Sequence, residues 1–301
     1  MLCNLFDDHS TQKKLRIAIL FPENDRHRNL RRYDIMHVPR YWEAEGHEVI
    51  RVFGTKDYIP ADIAILHIDL SLVPQRFIDL ANRYRVCLNK QAIDIRKSTL
   101  SAQLLKQDDN YTGQVIIKSN ENSGGIPDRL NGALWTRAIR KLRQFQRRIR
   151  HHIVISRPSD YLIFNCLGNV PDEVFSRTDL VVENFLPERD GEFYCTRAYL
   201  FMGTGQSCQM TVSKNPVVSV GNSERLVECD IHPRVLEWRQ QLGFNYGKFY
   251  YDLHEGQAVL LDANRTTGSG DLLGNPMIEC FRKMRAVGLL DYYEQALAER
   301  T

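Results

Sequence analysis

Short apolar runs alternate with helically spaced segments over the first 88 residues of the chain. Residues 15–22 are almost continuously apolar, which is typical of a parallel strand buried on both faces. Further runs cover 47–53, 61–69 and 85–89, and helical spacing covers 33–46 and 74–83. This βαβ alternation predicts a small doubly wound parallel α/β domain over residues 1–88. The stretch has no Gly-x-Gly-x-x-Gly turn, so it does not indicate a dinucleotide site.

The rest of the chain mixes strand and helix patterns in the manner of an α+β structure. Helices are predicted over 95–105, 128–152 and 275–299, and strands over 113–118, 161–164, 180–186 and 192–202. Near the C-terminus, two further strands, 245–252 and 259–264, are joined by a turn at 254–256. No internal repeat or low-complexity linker interrupts this pattern.

The second strand of that terminal pair ends in a carboxylate and an amide, Asp262 and Asn264. Side chains two positions apart on a strand point the same way, so these two oxygen ligands share a face, with Asp252 nearby on the partner strand. Converging hard oxygen ligands suit Mg²⁺, which proteins usually hold through one or two groups plus substrate phosphates. The pattern therefore predicts a magnesium site.

A lysine ends the predicted strand 113–118, and a polar loop with two glycines follows it. Lys118 at a strand end can reach phosphate oxygens, and the backbone at Gly124 and Gly125 can approach them and donate N–H groups. The alternative is a hairpin turn with a solvated lysine.

Taken in order along residues 15–268, these motifs resemble the ATP-grasp superfamily, and most closely a group of uncharacterised bacterial ATP-grasp proteins. The resemblance implies a two-subdomain ATP-grasp fold, after the N-terminal domain, with ATP bound between two α+β subdomains. The implied divisions are 1–88, 89–178, which carries the lysine strand and glycine loop, and 179–301, which carries the hinge and metal site.

The resemblance also implies roles for individual residues in binding ATP. Lys118 and the loop Ser123, Gly124 and Gly125 would hold phosphates, and Lys97 would contact the α-phosphate from the start of a helix. The neighbours Lys90 and Arg96 leave the register of Lys97 open, and an exposed helical lysine is the alternative. The implied adenine hinge is Glu183, Asn184, Phe185 and Leu186, and the implied ribose contact is Glu192.

Two basic residues fall at positions where the superfamily carries out its chemistry. Arg197, in an otherwise apolar strand, would contact the transferred phosphoryl group or the substrate carboxylate. Lys248 would stabilise the acyl-phosphate and tetrahedral intermediates of the reaction. One position departs from the family pattern, because Tyr250 stands where the first acidic metal ligand is usual. Asp252 can substitute only if no bulge intervenes between them; otherwise a single Mg²⁺ is expected.

The implied activity is that of a ligase in which Mg·ATP (or Mn·ATP) converts a carboxylate into an acyl phosphate for attack by an amine or thiol. Two other functions stay open. The first is ATP binding without ligase activity, which Tyr250 favours, and the second is phosphotransfer of the kinase type. Small carboxylates and amines are the expected substrates, and a homo-oligomer, a dimer, is expected.

The composition of the chain narrows the expected partners and compartment but indicates no further chemical site. The chain has 301 residues, 43% of them apolar and 26% charged, and a formal net charge of +3, which demands no polyanionic partner. Its seven cysteines include no Cys-x-x-Cys pair, so free thiols in a reducing, cytoplasmic setting are expected. No signal peptide or membrane span is evident. The basic segment 137–150 suits an acidic partner or carrier protein; it lacks interleaved aromatic residues, so nucleic acid is disfavoured.

Overall fold

The N-terminal strands form a four-stranded parallel sheet in the order β2-β1-β3-β4. This is seen in a computed structural model that describes residues 13–131, 153–268 and 276–299. The strands are β1 Arg16–Phe21, β2 Glu48–Phe53, β3 Ile63–Leu66 and β4 Val86–Leu88. Alternate residues of β1 enter two separate apolar clusters, because successive side chains of a strand point to opposite faces. Helix α1 (Pro39–Ala44) contributes Trp42 to one cluster, and helix α2 (Gln75–Ala81) contributes Phe77 to the other. The predicted doubly wound α/β domain is confirmed.

Two predicted helices are shorter than the sequence pattern indicates. The segment 33–46 contains a 3-10 turn before α1, which begins at Pro39, a residue that lacks an N–H and suits the first helical position. The segment 95–105 contains only α3, Lys97–Leu100. The backbone after α3 pairs instead with a strand, since Leu105 N–H donates to the Val182 carbonyl at 2.9 Å.

A three-stranded antiparallel sheet follows, in the order β6-β5-β7. Its strands are β5 Val115–Ser119, β6 Leu162–Phe164 and β7 Leu180–Asn184, and the helices beside it are α4 Ile126–Asn131 and α5 Asp172–Phe175. Because β7 pairs with β5, the two antiparallel sheets divide after Asn184 rather than at the predicted position 178. The apolar segment 180–186 reads as a strand in either sheet, so its sequence does not reveal its partner.

The third sheet is six-stranded and antiparallel, in the order β11-β10-β9-β12-β13, with β8 paired to β9. Its strands are β8 Glu188–Asp190, β9 Phe193–Met202, β10 Gly205–Ser213, β11 Arg225–Glu228, β12 Tyr246–His254 and β13 Gln257–Asn264. A helix, α6 Pro233–Gln241, precedes β12. Together with the first sheet, this arrangement agrees with the predicted combination of α/β and α+β structure.

Helix α7 (Pro276–Ala298) contacts both the N-terminal domain and the six-stranded sheet. Its Ala286 carbonyl accepts a hydrogen bond from Trp42 Nε1 at 2.9 Å, and its Gly288 carbonyl accepts from Thr204 N–H at 3.0 Å. No helix among the described residues is long and apolar enough to cross a membrane. The basic segment 137–150 lies outside the described residues.

Candidate nucleotide-binding site

A cavity of about 330 Å³ lies between the three-stranded and the six-stranded sheets. That volume is at the lower end of the range for small-molecule pockets. Its charged lining includes Lys97, Lys118, Asp252 and Asp262. Its apolar lining is formed by Ile116, Phe185, Leu186, Pro187, Val217, Val218 and Leu261. The cavity thus brings together an apolar surface and two cations from segments that are far apart in sequence.

Lys118 projects from β5 and is buried in an ion pair with Glu183 of β7. The Nζ–Oε2 distance is 2.6 Å, and the side chains are 7% and 2% exposed. The second carboxylate oxygen of Glu183, Oε1, is buried without a hydrogen-bond partner. Burying charges away from water is costly unless their remaining donors and acceptors are satisfied. The pair therefore has donors and an acceptor to offer a polar ligand.

Lys97, the first residue of α3, also lines this cavity. Its Nζ lies 3.2 Å from Asp262 Oδ1, and the residue is only 2% exposed. Burial opposes the charge, but Asp262, Tyr161 and Glu183 together outweigh it and raise the pKa of Lys97 above its usual value. Asn120, just after β5, anchors the start of α3 by accepting from the N–H groups of Lys97 and Ser98 at 3.0 and 2.9 Å. Lys97 therefore lines the same cavity as Lys118, whereas Lys90 and Arg96 do not.

The hinge segment lines the cavity through Asn184, Phe185 and Leu186. The Asn184 and Phe185 N–H groups donate to the Gln103 and Gln114 carbonyls, at 3.0 and 2.9 Å. Among the described residues, the Leu186 N–H has no recorded acceptor, and the next residue is Pro187, which has no N–H. The hinge thus keeps one backbone donor for the edge of a planar ligand. Glu183 turns towards Lys118 instead.

The metal-binding residues predicted on β13 lie opposite β12. Tyr250 is paired with Asp262, and Lys248 with Asn264, so these four side chains share one face of the sheet. Asn264 Nδ2 donates to Asp262 Oδ2 at 3.2 Å, and Lys248 Nζ donates to the Tyr250 hydroxyl at 2.5 Å. Lys248 is therefore next to the predicted metal ligands, although it does not line the cavity itself.

A β-bulge interrupts the β12–β13 pairing between Tyr250 and Tyr251. Tyr251 pairs with Leu260, so Leu261 is left without a partner and lines the cavity alongside Asp262. Beyond the bulge, Asp252 pairs with Val259 and is displaced along the strand from Asp262.

Asp252 consequently lies in the cavity but apart from the other predicted metal ligands. Its Oδ1 accepts a hydrogen bond from Thr196 Oγ1 at 2.9 Å, and burial raises its pKa to about 7. No group of three or more His, Cys, Asp or Glu side chains suitable for a metal occurs in 13–131, 153–268 or 276–299. The donor set that fits Mg²⁺ is thus Asp262 with the side-chain oxygen of Asn264, completed by ligand oxygens.

Arg197 does not face the cavity as the sequence analysis expected. It pairs with Tyr251, whose ring lies in a buried aromatic core on the opposite face of β9, while Thr196 faces the cavity. Arg197 binds the Glu188 carboxylate through two nitrogens, at 2.7 and 2.9 Å, and this hydrogen bonding raises its pKa. The positive charge of Arg197 is therefore neutralised by Glu188 on the adjacent strand β8. The sequence does not reveal this ion pair, because it depends on the pairing of β8 with β9.

Glu192 and the glycine loop also lie outside the cavity lining. Glu192 is exposed in the turn between β8 and β9, beside Gly191 with a φ of 61°. Gly124 has a φ of 64°, and a Cβ there would lie 2.0 Å from the Ser156 carbonyl oxygen, so the loop packs too tightly for a side chain. Its neighbours Ser123 and Gly125 also have positive φ values.

The glycine loop is held by the N-terminal domain rather than by the cavity. Asn122 N–H donates to Ser71 Oγ at 2.8 Å, and Asn122 Nδ2 donates to Asp69 Oδ1 at 3.2 Å. Several lining residues are not predicted from the sequence, namely Thr196, Tyr161, Thr211, Leu261 and the segment 216–220. The segment 216–220 connects β10 and β11, which carried no recognised strand signal.

The chain is similar in structure to several solved proteins, at low identity. One is a RimK domain protein, ATP-grasp, from Sphaerobacter thermophilus (13% identity, TM-score 0.46, covering 91% of this chain and 99% of that one). Another is the macrocyclase MdnC bound with precursor peptide MdnA from Microcystis aeruginosa (12%, 0.49, 92% and 99%). A third is D-alanine–D-alanine ligase from Bacillus anthracis (10%, 0.40, 95% and 98%).

One of these solved proteins is described as ATP-grasp. No protein-family model matches the chain, and no curated protein sequence matches it significantly. Similarity at this level says nothing of the substrate, so the proposal of function depends on the side chains of the cavity.

Proposed function

We propose that this protein is an ATP-grasp ligase that uses Mg·ATP to activate a carboxylate as an acyl phosphate for attack by an amine or a thiol. The observation that carries the proposal is the convergence of Lys97, Lys118, the hinge and Asp262 on one cavity. These four groups come from four separate elements and have the order along the sequence that the ATP-grasp resemblance implies.

The residues of the cavity suit the parts of a nucleotide. Phe185, Leu186 and Leu261 offer apolar surfaces to a purine ring, and the Leu186 N–H offers a donor to its edge. Lys97 and Lys118 are buried cations, each with one carboxylate partner, and they can bind phosphate oxygens. Triphosphate would therefore extend from Lys118 towards Asp262.

Asp262 and Asn264 would hold the magnesium ion, which neutralises phosphate charge during transfer when it is bound. Because Asp262 forms an ion pair with Lys97, its carboxylate is already held beside the phosphate-binding cation. Lys248 lies on the same face, where its ammonium can stabilise negative charge on the acceptor. Catalysis then comes from positioning and charge stabilisation by these groups.

A second candidate function is ATP binding without ligase activity. Two observations favour it: Tyr250 occupies the usual acidic position, and Arg197 is bound to Glu188 on the far face of the sheet. The first removes a negative charge that would help to hold a metal ion, and the second keeps a positive charge away from the transferred phosphoryl group.

The deciding experiment measures ADP and phosphate released from Mg·ATP in the presence of pools of carboxylates with amines or thiols. The ligase proposal expects release of ADP and phosphate that depends on a carboxylate, is lost in Asp262→Asn and is kept in Asp57→Asn, which changes an exposed carboxylate of the N-terminal domain. ADP with a stable phosphorylated product would indicate a kinase instead. Tight ATP binding without turnover in any pool would contradict the ligase proposal and favour a binding protein.

A further inference from the structure

Two cysteines of the six-stranded sheet lie side by side, away from the charged groups of the cavity. The sulfur atoms of Cys208, in β10, and Cys229, just after β11, are 3.3 Å apart. The β10–β11 register pairs Gln209 with Glu228, so Cys208 and Cys229 form the next pair across the two strands. The Cys229 N–H donates to the Cys208 carbonyl at 3.1 Å, which continues the pairing to these residues.

Residues directly opposite each other in an antiparallel pair have Cα atoms roughly 4.5–5.5 Å apart. A disulfide needs Cα atoms about 4.4–6.8 Å apart, so the backbone already meets this requirement. The two sulfur atoms are 3.3 Å apart and must approach by roughly 1.3 Å to reach the length of a disulfide bond. Free thiols were expected from the sequence, which contains no spacing that reveals this pair.

The surroundings favour thiol chemistry at this pair. The hydrogen bond from Cys229 lowers the pKa of the Cys208 thiol, and Tyr251 OH lies 3.3 Å from the Cys208 sulfur. The nearby Arg197 guanidinium also favours a thiolate at Cys208. Cys208 is buried but Cys229 is only partly so, and a small oxidant can therefore reach the pair from the Cys229 side.

We propose that Cys208 and Cys229 are a redox-active dithiol that peroxide oxidants convert reversibly into a disulfide. One thiolate attacks the peroxide O–O bond, which gives a sulfenic acid and hydroxide. The second thiolate then attacks that sulfur and expels a second hydroxide. Two thiols and one hydrogen peroxide thus give one disulfide and two waters.

The disulfide would close a loop that forms part of the cavity wall. The chain between the two cysteines includes the β10–β11 connection, whose residues 216–220 line the cavity. Fixing β11 to β10 limits the separation of the two strands, so the connection should open less often. Oxidation would therefore alter access to the cavity without touching its charged residues.

The test treats the purified protein with a small excess of hydrogen peroxide and maps disulfides by mass spectrometry of peptides prepared without reductant. The seven thiols of the chain should fall to five under denaturing titration, with one intramolecular Cys208–Cys229 link that dithiothreitol reverses. Cys166→Ser, a partly buried cysteine outside the pair, should form the same link. Cys208→Ser and Cys229→Ser should keep their remaining six thiols.

Hydrogen exchange gives a second readout. In wild type, peroxide should slow exchange in residues 214–224 several-fold, and Cys229→Ser should show no such change. The proposal is overturned if wild type keeps its thiols, if the link joins another pair, or if exchange in 214–224 changes equally in Cys229→Ser. Wild-type peptide mapping decides the assignment even where a variant fails to fold.

Discussion

At the scale of single residues, Lys118 and Glu183 show how two opposite charges are kept inside a protein. Both side chains are nearly inaccessible, and each neutralises the other at 2.6 Å. The sequence predicts Lys118 as a phosphate contact, with a solvated lysine as the alternative, and Glu183 as part of the hinge. It did not reveal their pairing, because Glu183 follows 65 positions later, on β7, and the two residues meet only when β5 and β7 align.

Lys118→Ala should therefore lower both ATP affinity and stability. Removing one partner of a buried ion pair leaves the other charge uncompensated and costs about 3–5 kcal/mol. The matched control is Lys118→Met combined with Glu183→Gln, which removes both charges and should restore most of the stability but none of the ATP affinity. Urea denaturation and calorimetry measure the two effects, and wild-type ATP affinity in the double variant would exclude Lys118 from phosphate binding.

The ion pair between Lys97 and Asp262 predicts an effect of Mg²⁺ on nucleotide affinity. In Asp262→Asn, Mg²⁺ should no longer strengthen ATP binding, because the carboxylate proposed to hold the metal is lost. ATP without Mg²⁺ should bind more tightly than in wild type, since Lys97 no longer has Asp262 as a competing partner. Calorimetry with and without Mg²⁺ checks both results. In Asp252→Asn, Mg²⁺ should still strengthen ATP binding. If it does not, Asp252 is a metal ligand after all.

At the scale of elements, the β12–β13 hairpin was predictable as two strands but not in its register. Alternation of apolar and polar residues correctly placed Asp262 and Asn264 on one face. The bulge at Leu261 was not visible, because a single unpaired apolar residue leaves the alternation intact on either side. With the bulge, Asp252 pairs with Val259 and so lies further along the hairpin from Asp262 than a regular register would place it.

The contact between helix α7 and the β9–β10 turn yields an element-scale prediction. A Cβ at Gly288 would lie 2.0 Å from Gly205 N, with backbone on both sides. Gly288→Ala should therefore force the helix away from the turn and cost about 1–3 kcal/mol of unfolding free energy. Gly168→Ala is the control, because nothing lies within 4 Å of a Cβ there. Equal denaturation midpoints for the two variants would show that the helix adjusts without cost.

At the scale of the whole molecule, the three sheets are held together by buried polar groups that sequence patterns do not distinguish from site residues. Arg265 directly follows the predicted metal strand and is fully buried. It donates to the Ile68 and Ala92 carbonyls, at 3.4 and 3.0 Å, and burial lowers its pKa to about 10. The motif order therefore predicted some of the segments that line the cavity but wrongly included the glycine loop, and the polar contacts that join the domains emerge only from the fold.

His67 is another such group, and it gives the molecule a predictable acid sensitivity. It lies at the end of β3 with its ring 5.1 Å from that of Phe21 and 5.9 Å from that of Tyr246, so it joins the parallel sheet to β12. Full burial lowers its pKa to about 3. An unfolded histidine has a pKa near 6.5, so below that pH the unfolded chain binds a proton that the folded chain excludes. The contribution of neutral His67 to the free energy of unfolding is fully present above pH 6.5 and is lost as the pH falls towards 3.

The size of the loss follows from the difference between the two pKa values. Each unit corresponds to about 1.4 kcal/mol, so the contribution of His67 should fall by roughly 4 kcal/mol between pH 6.5 and 3. His67→Phe keeps a ring in the cluster but cannot titrate, so its denaturation midpoints should change less with acid than those of wild type. His27→Gln, at an exposed position, should follow wild type. If His67→Phe and wild type lose stability in parallel from pH 7 to pH 4, another group causes the acid unfolding, and the protonation of His67 does not loosen the junction between the sheets.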